Sequence, residues 1–253
     1  MTQLVWMTDL HYAAAEDVAG IDVRARLSTA VAHINTHYAG AAFCVITGDM
    51  VQFETLETYQ ALKAQLAALN IPYLPMVGNH DDRAMMKAHL DVPGNCMTEF
   101  VQYSVATDAG LFLCLDTQKV GSEAGEFCAT RMAWLRDALD RAGDVPVFIF
   151  MHHPPMDLDL PAQDEIQLEQ GAAFVDLVAG YPNVRHLFMG HVHRATAGSI
   201  RGIPYTTMRA MSFLAPAPKP DWDWDGFKPV LEPANLGMIP IRKDAVSVQY
   251  IQF

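Results

Sequence analysis

Five short stretches of the sequence place Asp, Asn or His side chains directly after apolar runs. The first run ends in Asp9-Leu10-His11, and the second ends in Gly48-Asp49. The other three stretches supply Asn79, His80, Asp81 and Asp82, then His152 and His153, then His191 and His193. Carboxylate, amide and imidazole groups without a thiolate suit divalent Mn, Fe, Zn or Co, and these ligand types do not choose among the four metals. If the stretches converge, they build a metal centre.

The elements that must position these side chains are short strands. Six runs have strand length and are nearly continuous in apolar residues, namely Leu4–Thr8, Phe43–Thr47, Tyr73–Val77, Leu111–Leu115, Val147–Met151 and Arg185–Met189. Apolar residues at helical spacing lie between them, at Val23–Ile34, Leu56–Leu69, Trp134–Leu139 and Phe174–Val178. Alternation of strands and helices predicts an α/β fold. Binding sites of open α/β sheets lie beyond the carboxyl ends of the strands, where these polar groups stand.

We expect one domain over residues 1–253, because no repeat or low-complexity linker interrupts the chain. The apolar runs Ile203–Met208 and Ala245–Ile251 predict two further strands near the C-terminus. Residues 211–253 are expected to form a C-terminal cap or oligomerisation segment together with a final strand. A homo-oligomer, either a dimer or a larger assembly, is therefore among the expected partners.

The composition argues against several classes of protein. A net charge of −12 with no basic cluster makes a nucleic acid polymer a poor partner. The sequence has no run of about 18 apolar residues and no signal-like N-terminal segment, so we expect no membrane partner and a cytoplasmic location. The four cysteines form no CxxC pair, and we interpret them as small core residues.

Each polar stretch taken alone is compatible with an ordinary turn at the end of a strand. Gly and Asn suit tight turns, and a Gly-Asp pair is common there. Gly190-His191-Val192-His193 is more specific, because alternate residues of an extended chain direct both imidazoles to one side. Five unrelated turns would rarely all end in metal-ligand residue types. The set as a whole therefore indicates one site.

In this order the stretches resemble the signature of the calcineurin-like metallophosphoesterase superfamily, which reads DxH, GD, GNH[DE], a lone H and GHxH. The sequence supplies these elements over about residues 3 to 210 as Asp9-x-His11, Gly48-Asp49, Gly78-Asn79-His80-Asp81, His152 and Gly190-His191-x-His193. The "GNHDD" and "FMHHPP" segments look most like the branch that holds class III cyclic-nucleotide phosphodiesterases and glycerophosphodiesterases. The resemblance implies a four-layer αββα sandwich, in which two mixed sheets pack face to face and are flanked by helices.

The resemblance also implies a role for each matched residue. One divalent ion would be held by Asp9, His11 and His193, and a second by Asn79, His152 and His191. Asp49 would bridge the two ions, and hydroxide between them would attack phosphorus. Asn79 and His80 would contact the substrate phosphate, and His80 would act as the general acid that protonates the leaving group. The family places its ligand at the first histidine of the pair, so His153 is expected either to support the ligands from behind or to be a loop residue.

The substrate implied is a small phosphodiester, and several alternatives stay open. Glycerophosphodiesters are the first substrate expected, and 3′,5′-cyclic nucleotides such as cAMP are the alternative substrate. The alternative to an enzyme is a non-catalytic protein that binds phosphate or a nucleotide. Gln52 replaces the Asp of Ser/Thr protein phosphatases and the Tyr of purple acid phosphatases, which argues against both branches. Tyr12 and Gln52 could line the pocket, and Arg209 could reach a phosphate or form a salt bridge. The segment with Trp222 and Trp224 could cover the substrate, or pack on the protein or on a second subunit.

Overall fold

The computed structural model describes all 253 residues, Met1–Phe253, as two six-stranded sheets with helices on their outer faces. The strands are β1 (Thr2–Met7), β2 (Phe43–Ile46), β3 (Tyr73–Pro75), β4 (Tyr103–Thr107), β5 (Gly110–Cys114), β6 (Val147–Met151), β7 (Val184–Met189), β8 (Ala197–Ile200), β9 (Ile203–Thr207), β10 (Asn235–Arg242), β11 (Ala245–Val246) and β12 (Gln249–Gln252). The helices are α1 (Val23–His37), α2 (Leu56–Leu66), α3 (Arg83–His89), α4 (Ala129–Ala142) and α5 (Gly171–Val178). None of them combines the length and the apolar composition that a bilayer crossing requires.

Both sheets are mixed, as predicted. The first sheet has the order β11-β10-β1-β2-β3, and β12 also pairs with β10. Its strands β1, β2 and β3 are parallel, whereas β10 runs antiparallel to β1. The second sheet has the order β4-β5-β6-β7-β9-β8. Its four central strands are parallel, and its two edge strands are antiparallel to their neighbours.

Aromatic side chains fill the space between the sheets. Trp6 of the first sheet contacts Phe188 of the second edge to face, with ring centroids 5.4 Å apart. Phe188 in turn stacks on Phe150 at 4.7 Å. Helices α1 and α2 connect the parallel strands of the first sheet, while α4 and α5 pack in a separate apolar cluster on the second. The αββα sandwich expected from the resemblance is thereby confirmed.

Polar caps begin the helices that follow the strands of the first sheet. Asp22 accepts hydrogen bonds from two backbone N–H groups of α1, and Thr55 accepts one from α2. Asp82, the last residue of the "GNHDD" segment, caps α3 by accepting from the N–H of Met85 at 2.7 Å. The last residue of this polar stretch is thus the N-cap of α3, a helix that the apolar pattern did not predict.

All the predicted strands up to residue 208 occur within two residues of their expected bounds. The prediction omitted β4, β8 and β10, and the run Ala245–Ile251 forms two short strands rather than one. The omission of β10 matters most, because this strand lies beside β1 inside the first sheet. The sequence of β10 does not resemble a strand, because it contains Gly237 and Pro240, and both residue types are uncommon in strand interiors.

Candidate metal centre

The carboxyl ends of strands from both sheets meet at one end of the sandwich. The stretches after β1, β2 and β3 come from the first sheet, and those after β6 and β7 come from the second. All seven predicted ligand residues converge there, namely Asp9, His11, Asp49, Asn79, His152, His191 and His193. Six of them are at most 6% exposed, and Asn79 is half-buried.

The first group of donor atoms comes from Asp9, His11 and His193. The Nε2 atoms of His11 and His193 lie 3.0 Å apart. The Oδ1 atom of Asp9 lies 3.4 Å from His193 Nε2. These residues, together with Asp49, have donor atoms within 4.8 Å of one another.

The second group comes from Asn79, His152 and His191. The Oδ1 atom of Asn79 lies 3.1 Å from His152 Nε2 and 3.1 Å from His191 Nδ1. Asp49 stands between the groups, because its Oδ2 atom is 3.4 Å from His152 Nε2 and also 3.4 Å from His11 Nε2. One carboxylate oxygen is therefore equally close to both groups.

These spacings fit divalent metal ions. Metal bonds of about 2.1 Å place adjacent ligand atoms roughly 3.0–3.4 Å apart in octahedral or tetrahedral coordination. The measured separations of neighbouring donors, from 3.0 to 3.4 Å, match that range. The donor set of nitrogen and oxygen atoms without a thiolate is compatible with Mn, Fe, Zn or Co.

Each of the four histidines in the centre is oriented through its other ring nitrogen. The nitrogens that face away from the centre contact acceptors as follows: His11 Nδ1 to Gln52 Oε1 at 2.9 Å, His152 Nδ1 to the Thr47 carbonyl at 2.8 Å, His191 Nε2 to the Ile166 carbonyl at 3.0 Å, and His193 Nδ1 to the Phe213 carbonyl at 2.8 Å. An acceptor on one nitrogen places the proton there and leaves the lone pair of the other free. In each neutral imidazole, the nitrogen that faces the centre is then the one that can bind a metal ion.

The electrostatics of the centre favour positive charge. Burial lowers the pKa of His11 and of His191 to about 3, so both are neutral imidazoles, the form that binds metals. Burial disfavours charge on His152 as well, but the adjacent Asp49 carboxylate raises the pKa of His152 to about 9. Burial alone would raise the pKa of Asp49, yet the surrounding histidines hold it well below its usual value. The two buried carboxylates therefore stay ionised and attract a cation.

Backbone strain concentrates at the same residues. Eight non-glycine residues have a positive φ, and five of them belong to the centre, namely Asp9, His11, Asp49, His191 and His193. Side chains with a Cβ rarely adopt this conformation, which costs of order 1–3 kcal/mol per residue. The strain is maintained because each turn must bring its ligand back over the end of the strand.

Two glycines allow the turns to approach closely. A Cβ on Gly78 would overlap the Asp49 carboxylate, and one on Gly190 would overlap the Thr8 hydroxyl and lie 2.8 Å from the Thr47 carbonyl. Asp81 joins the same turns, since its carboxylate accepts hydrogen bonds from the N–H groups of Gly78, Met50 and Val51 at 2.8–3.1 Å. Burial and the charge of Asp49 raise the pKa of Asp81 to about 8. The fourth residue of the GNHD stretch thus ties the loop after β2 to the loop after β3.

His80 lies at the mouth of the centre. Its ring packs edge to face on His11 with centroids 4.6 Å apart, and only its backbone N–H is hydrogen bonded, to Asp49 Oδ1 at 3.0 Å. The residue is half-buried, and its imidazole has no hydrogen-bond partner in the protein. The ring is therefore free to bond with a bound substrate.

His153, Tyr12 and Arg209 lie outside the set of seven predicted ligands. The donor atoms of His153 lie within 4.8 Å of those of His152 and His191, but both its ring nitrogens are occupied, by Thr117 Oγ1 at 2.7 Å and the Glu123 carbonyl at 3.1 Å. Tyr12 is buried in the core and does not line the pocket. Arg209 forms a salt bridge with Glu232 at 3.1 Å.

Gln52 does not line the pocket, although its place in the sequence suggested that it could. Its amide oxygen instead contacts Nδ1 of His11, one of the histidines of the centre. Nothing in the sequence indicated the three carbonyl acceptors, Thr47, Ile166 and Phe213. The ring of Phe213 also contacts the rings of His11 and His193. The carbonyl groups carry no sequence signal, since every residue has one.

Two cavities meet at His80. The smaller, of about 160 Å³, lies over the centre and is also lined by Trp224 and Phe227. The larger, of about 640 Å³, extends past Glu54 and Asp82. Asn79, His80 and Glu123 border both. A bound molecule could therefore reach from the metal ligands into a polar chamber and an aromatic one.

Comparison with known proteins points to one family. A family model described as calcineurin-like phosphoesterase matches residues 2–195. The chain is 36% identical over 215 residues to a probable cyclic nucleotide phosphodiesterase of Rhodopseudomonas palustris, covering 83% of this chain and 78% of the relative. It is 31% identical over 204 residues to a glycerophosphodiester phosphodiesterase of Enterobacter lignolyticus, covering 78% of this chain and 72% of that one.

The fold has a counterpart among solved structures. A dimetal phosphatase from Danio rerio superposes with a TM-score of 0.75 at 14% sequence identity, covering 98% of this chain and 95% of that one. This likeness concerns the fold alone. The family match and the two relatives confirm the resemblance read from the five polar stretches, and the chain belongs to the calcineurin-like phosphoesterase family.

Proposed function

We propose that this chain is a phosphoric diester hydrolase that uses two divalent metal ions and acts on small phosphodiesters. Glycerophosphodiesters are the leading substrates and 3′,5′-cyclic nucleotides such as cAMP the alternative. The observation that carries the proposal is the donor geometry, in which seven side chains present their free oxygen and nitrogen atoms to one another at metal-ligand spacing. The relatives named above as a cyclic nucleotide and a glycerophosphodiester phosphodiesterase support both substrate classes.

The proposed ligands divide into two sets that share one carboxylate. Asp9, His11 and His193 would hold one ion, while Asn79, His152 and His191 would hold the other. The equal distances from Asp49 Oδ2 to His11 and to His152 support Asp49 as the bridging ligand. Two divalent ions bring four positive charges against two carboxylates, which leaves an electropositive site inside an acidic protein.

The reaction needs both the ions and the chain's own residues. Two divalent ions would polarise the phosphoryl oxygens and lower the pKa of a water so that it attacks phosphorus near neutral pH. Asn79 and His80 border the cavity and would orient the phosphate. As the bond from the water oxygen to phosphorus forms and the ester P–O bond breaks, His80 would donate its proton to the departing alkoxide. Such general acid catalysis typically contributes about 10²–10⁴-fold in rate.

The test compares a diester with a monoester on protein of defined metal content. Protein stripped with a chelator and reloaded with Mn²⁺ should hydrolyse bis(p-nitrophenyl) phosphate faster than p-nitrophenyl phosphate, and the stripped protein should hydrolyse neither. Faster hydrolysis of the monoester would indicate that the protein is a phosphatase and not a phosphodiesterase. Inactivity of the reloaded protein on both esters would favour a non-catalytic phosphate- or nucleotide-binding protein.

We also propose that the protein works in the cytoplasm. All four cysteines are free, and Cys44 and Cys114 are fully buried in strands, as expected for a protein of a reducing compartment. Quantitative thiol labelling of protein purified without reductant checks this. Four reactive thiols in denaturant are expected, whereas two or fewer would indicate disulfide formation.

A further inference from the structure

A closed loop carries the aromatic residues beside the metal centre. Leu214 and Val230 form a two-way backbone bridge, with N–H to carbonyl distances of 3.0 Å and 2.9 Å. Residues 215–229 project from this bridge, and we call them the aromatic loop. Within the loop, the N–H of Phe227 donates to the Trp224 carbonyl at 3.1 Å, and the N–H of Gly226 donates to Asp223 Oδ1 at 2.9 Å. The tip is therefore a hydrogen-bonded turn.

The base of the loop is fixed to the segment that supplies two metal ligands. Trp222, which is 8% exposed, packs in an apolar cluster with Val192, the residue between His191 and His193. The Arg194 guanidinium donates to the Ala215 carbonyl at 2.7 Å. The loop consequently has a fixed position relative to the centre.

Three rings form a continuous stack that ends at the cavity. Phe227 stacks on Trp222 with centroids 5.7 Å apart and an interplanar angle of 14°, and it contacts Trp224 at 5.5 Å and 34°. Trp224 and Phe227 line the cavity over the metal ligands, yet Trp224 remains 39% exposed. Exposed aromatic surface is unfavourable in water, and here it faces the place where a substrate would lie.

The two sides of the substrate site differ in chemistry. The larger cavity on the other side of His80 is lined mainly by polar and charged groups, and Glu54, Asp82 and Gln118 belong to this cavity alone. The smaller one offers the faces of Trp224 and Phe227. A planar ring in the substrate would gain stacking energy only on the aromatic side.

We propose that Trp224, supported by Phe227 and Trp222, stacks on a planar ring in the organic part of the diester. The ring is the base of the group that stays on phosphorus after cleavage, so the site favours nucleoside diesters over diesters whose retained group is aliphatic. This inference rests on the proposed phosphodiesterase function and narrows its substrate class towards the nucleotide alternative.

Two substrates with the same leaving group test the inference. Thymidine 5′-(p-nitrophenyl) phosphate and methyl p-nitrophenyl phosphate both release p-nitrophenolate, but only the first retains a planar base, and neither carries a quaternary ammonium that would itself bind an aromatic face. The quantity measured is the ratio of their kcat/KM values on Mn²⁺-loaded protein. Trp224→Ala and Trp224→Leu should each lower this ratio about 10- to 100-fold, since a base stacked on an aromatic side chain contributes that much. Trp224→Phe keeps a ring and should restore most of it.

A matched control is Trp134→Ala, because Trp134 is half-buried on α4 and packs on the second sheet away from the centre. It should leave the ratio unchanged. The inference is overturned if the Trp224 variants keep the wild-type ratio at wild-type metal content, or if the wild type prefers the methyl ester.

A binding measurement separates this inference from the proposed function. The chain has four tryptophans, and a base stacked on Trp224 should quench their fluorescence. AMP should quench more strongly than ribose 5-phosphate, which has the same phosphate but no base, and Trp224→Phe should reduce the difference. Wild-type protein that hydrolyses neither ester would remove the proposed function, while equal quenching by the two ligands would remove the stacking role of Trp224.

Discussion

The metal centre and the aromatic loop are adjacent, but they are built in different ways. The residues of the centre follow parallel strands of both sheets, and each histidine there has a hydrogen-bond acceptor behind it, such as the Thr47 carbonyl behind the fully buried His152. The aromatic loop closes on a single backbone bridge and leaves Trp224 39% exposed. In the proposed function, the residues of the centre would supply the chemistry, and the loop would contact the variable part of the substrate. Substitutions in the centre should therefore abolish turnover, and substitutions in the loop should change selectivity.

The largest effect is expected from Asp49→Ala. This substitution removes the carboxylate placed between the two donor groups, so metal loading should fail. Hydrolysis of bis(p-nitrophenyl) phosphate should fall by about 10³-fold or more, as expected when metal stabilisation worth several kcal/mol is lost. Metal content by mass spectrometry and initial rates measure both effects. Asp144→Ala, at an exposed surface position, is the control. Two ions retained in Asp49→Ala would contradict the bridging role.

His80→Ala should separate metal binding from proton transfer. The variant should keep the wild-type metal content, because the His80 ring only packs on the His11 ring and the hydrogen bond of His80 to Asp49 comes from its backbone N–H, which alanine retains. It should lose about 10²–10⁴-fold in rate on a diester with an alkoxide leaving group, and much less when p-nitrophenolate leaves. His37→Ala, an exposed histidine on α1, serves as control. An equal loss on both substrates would remove the general-acid assignment.

Gln52→Ala should have a moderate effect on the metals. Without the Gln52 amide oxygen, His11 Nδ1 loses its acceptor, and the ring loses its fixed orientation. Removal of such a supporting contact typically weakens metal affinity by about 10- to 100-fold. Competition for Mn²⁺ with a fluorescent chelator gives the affinity, and Gln52→Glu, which keeps an acceptor oxygen, should bind more tightly than Gln52→Ala. Unchanged affinity in both variants would show that the contact is dispensable.

Arg209→Ala should have the smallest effect. The Arg209–Glu232 pair is about one third exposed on each side, at 34% and 36%, and exposed ion pairs contribute at most about 1 kcal/mol to stability. Steady-state kinetics should give kcat/KM within about twofold of wild type. Urea titration should show the free energy of unfolding lowered by at most about 1 kcal/mol. A tenfold rise in KM would instead place Arg209 at the substrate phosphate.

Much of the fold and most of the candidate site could be predicted from the sequence. Strand runs such as Phe43–Thr47 were recognisable because both faces of the sheets are covered, which makes the strands almost wholly apolar. The polar residues at their ends were informative as a set, since five unrelated turns would rarely all end in metal-ligand residue types. Strand β10 escaped prediction because Gly237 and Pro240 interrupt its apolar pattern, and an added Cβ at Gly237 would make a tight contact of 3.2 Å with the Trp6 ring.

The supporting contacts of the site could not be predicted in the same way. The carbonyl groups behind the histidines come from positions far apart in the chain, such as Thr47 for His152 and Phe213 for His193. Their side chains have no part in the contact, so residue type gives no signal. The position of Trp224 over the cavity likewise depends on the Leu214–Val230 bridge and on the burial of Trp222. Such contacts become visible only when the chain is folded.

The most direct test of the account is the number of metal ions that each chain binds. Chelator-stripped wild-type protein titrated with Mn²⁺, with free ion followed by electron paramagnetic resonance, should bind two ions per chain. Asn79→Ala, which removes a donor from one group only, should reduce the number bound with high affinity to one and abolish diester hydrolysis. One ion bound by the wild type, or two bound with full activity in Asn79→Ala, would contradict the account.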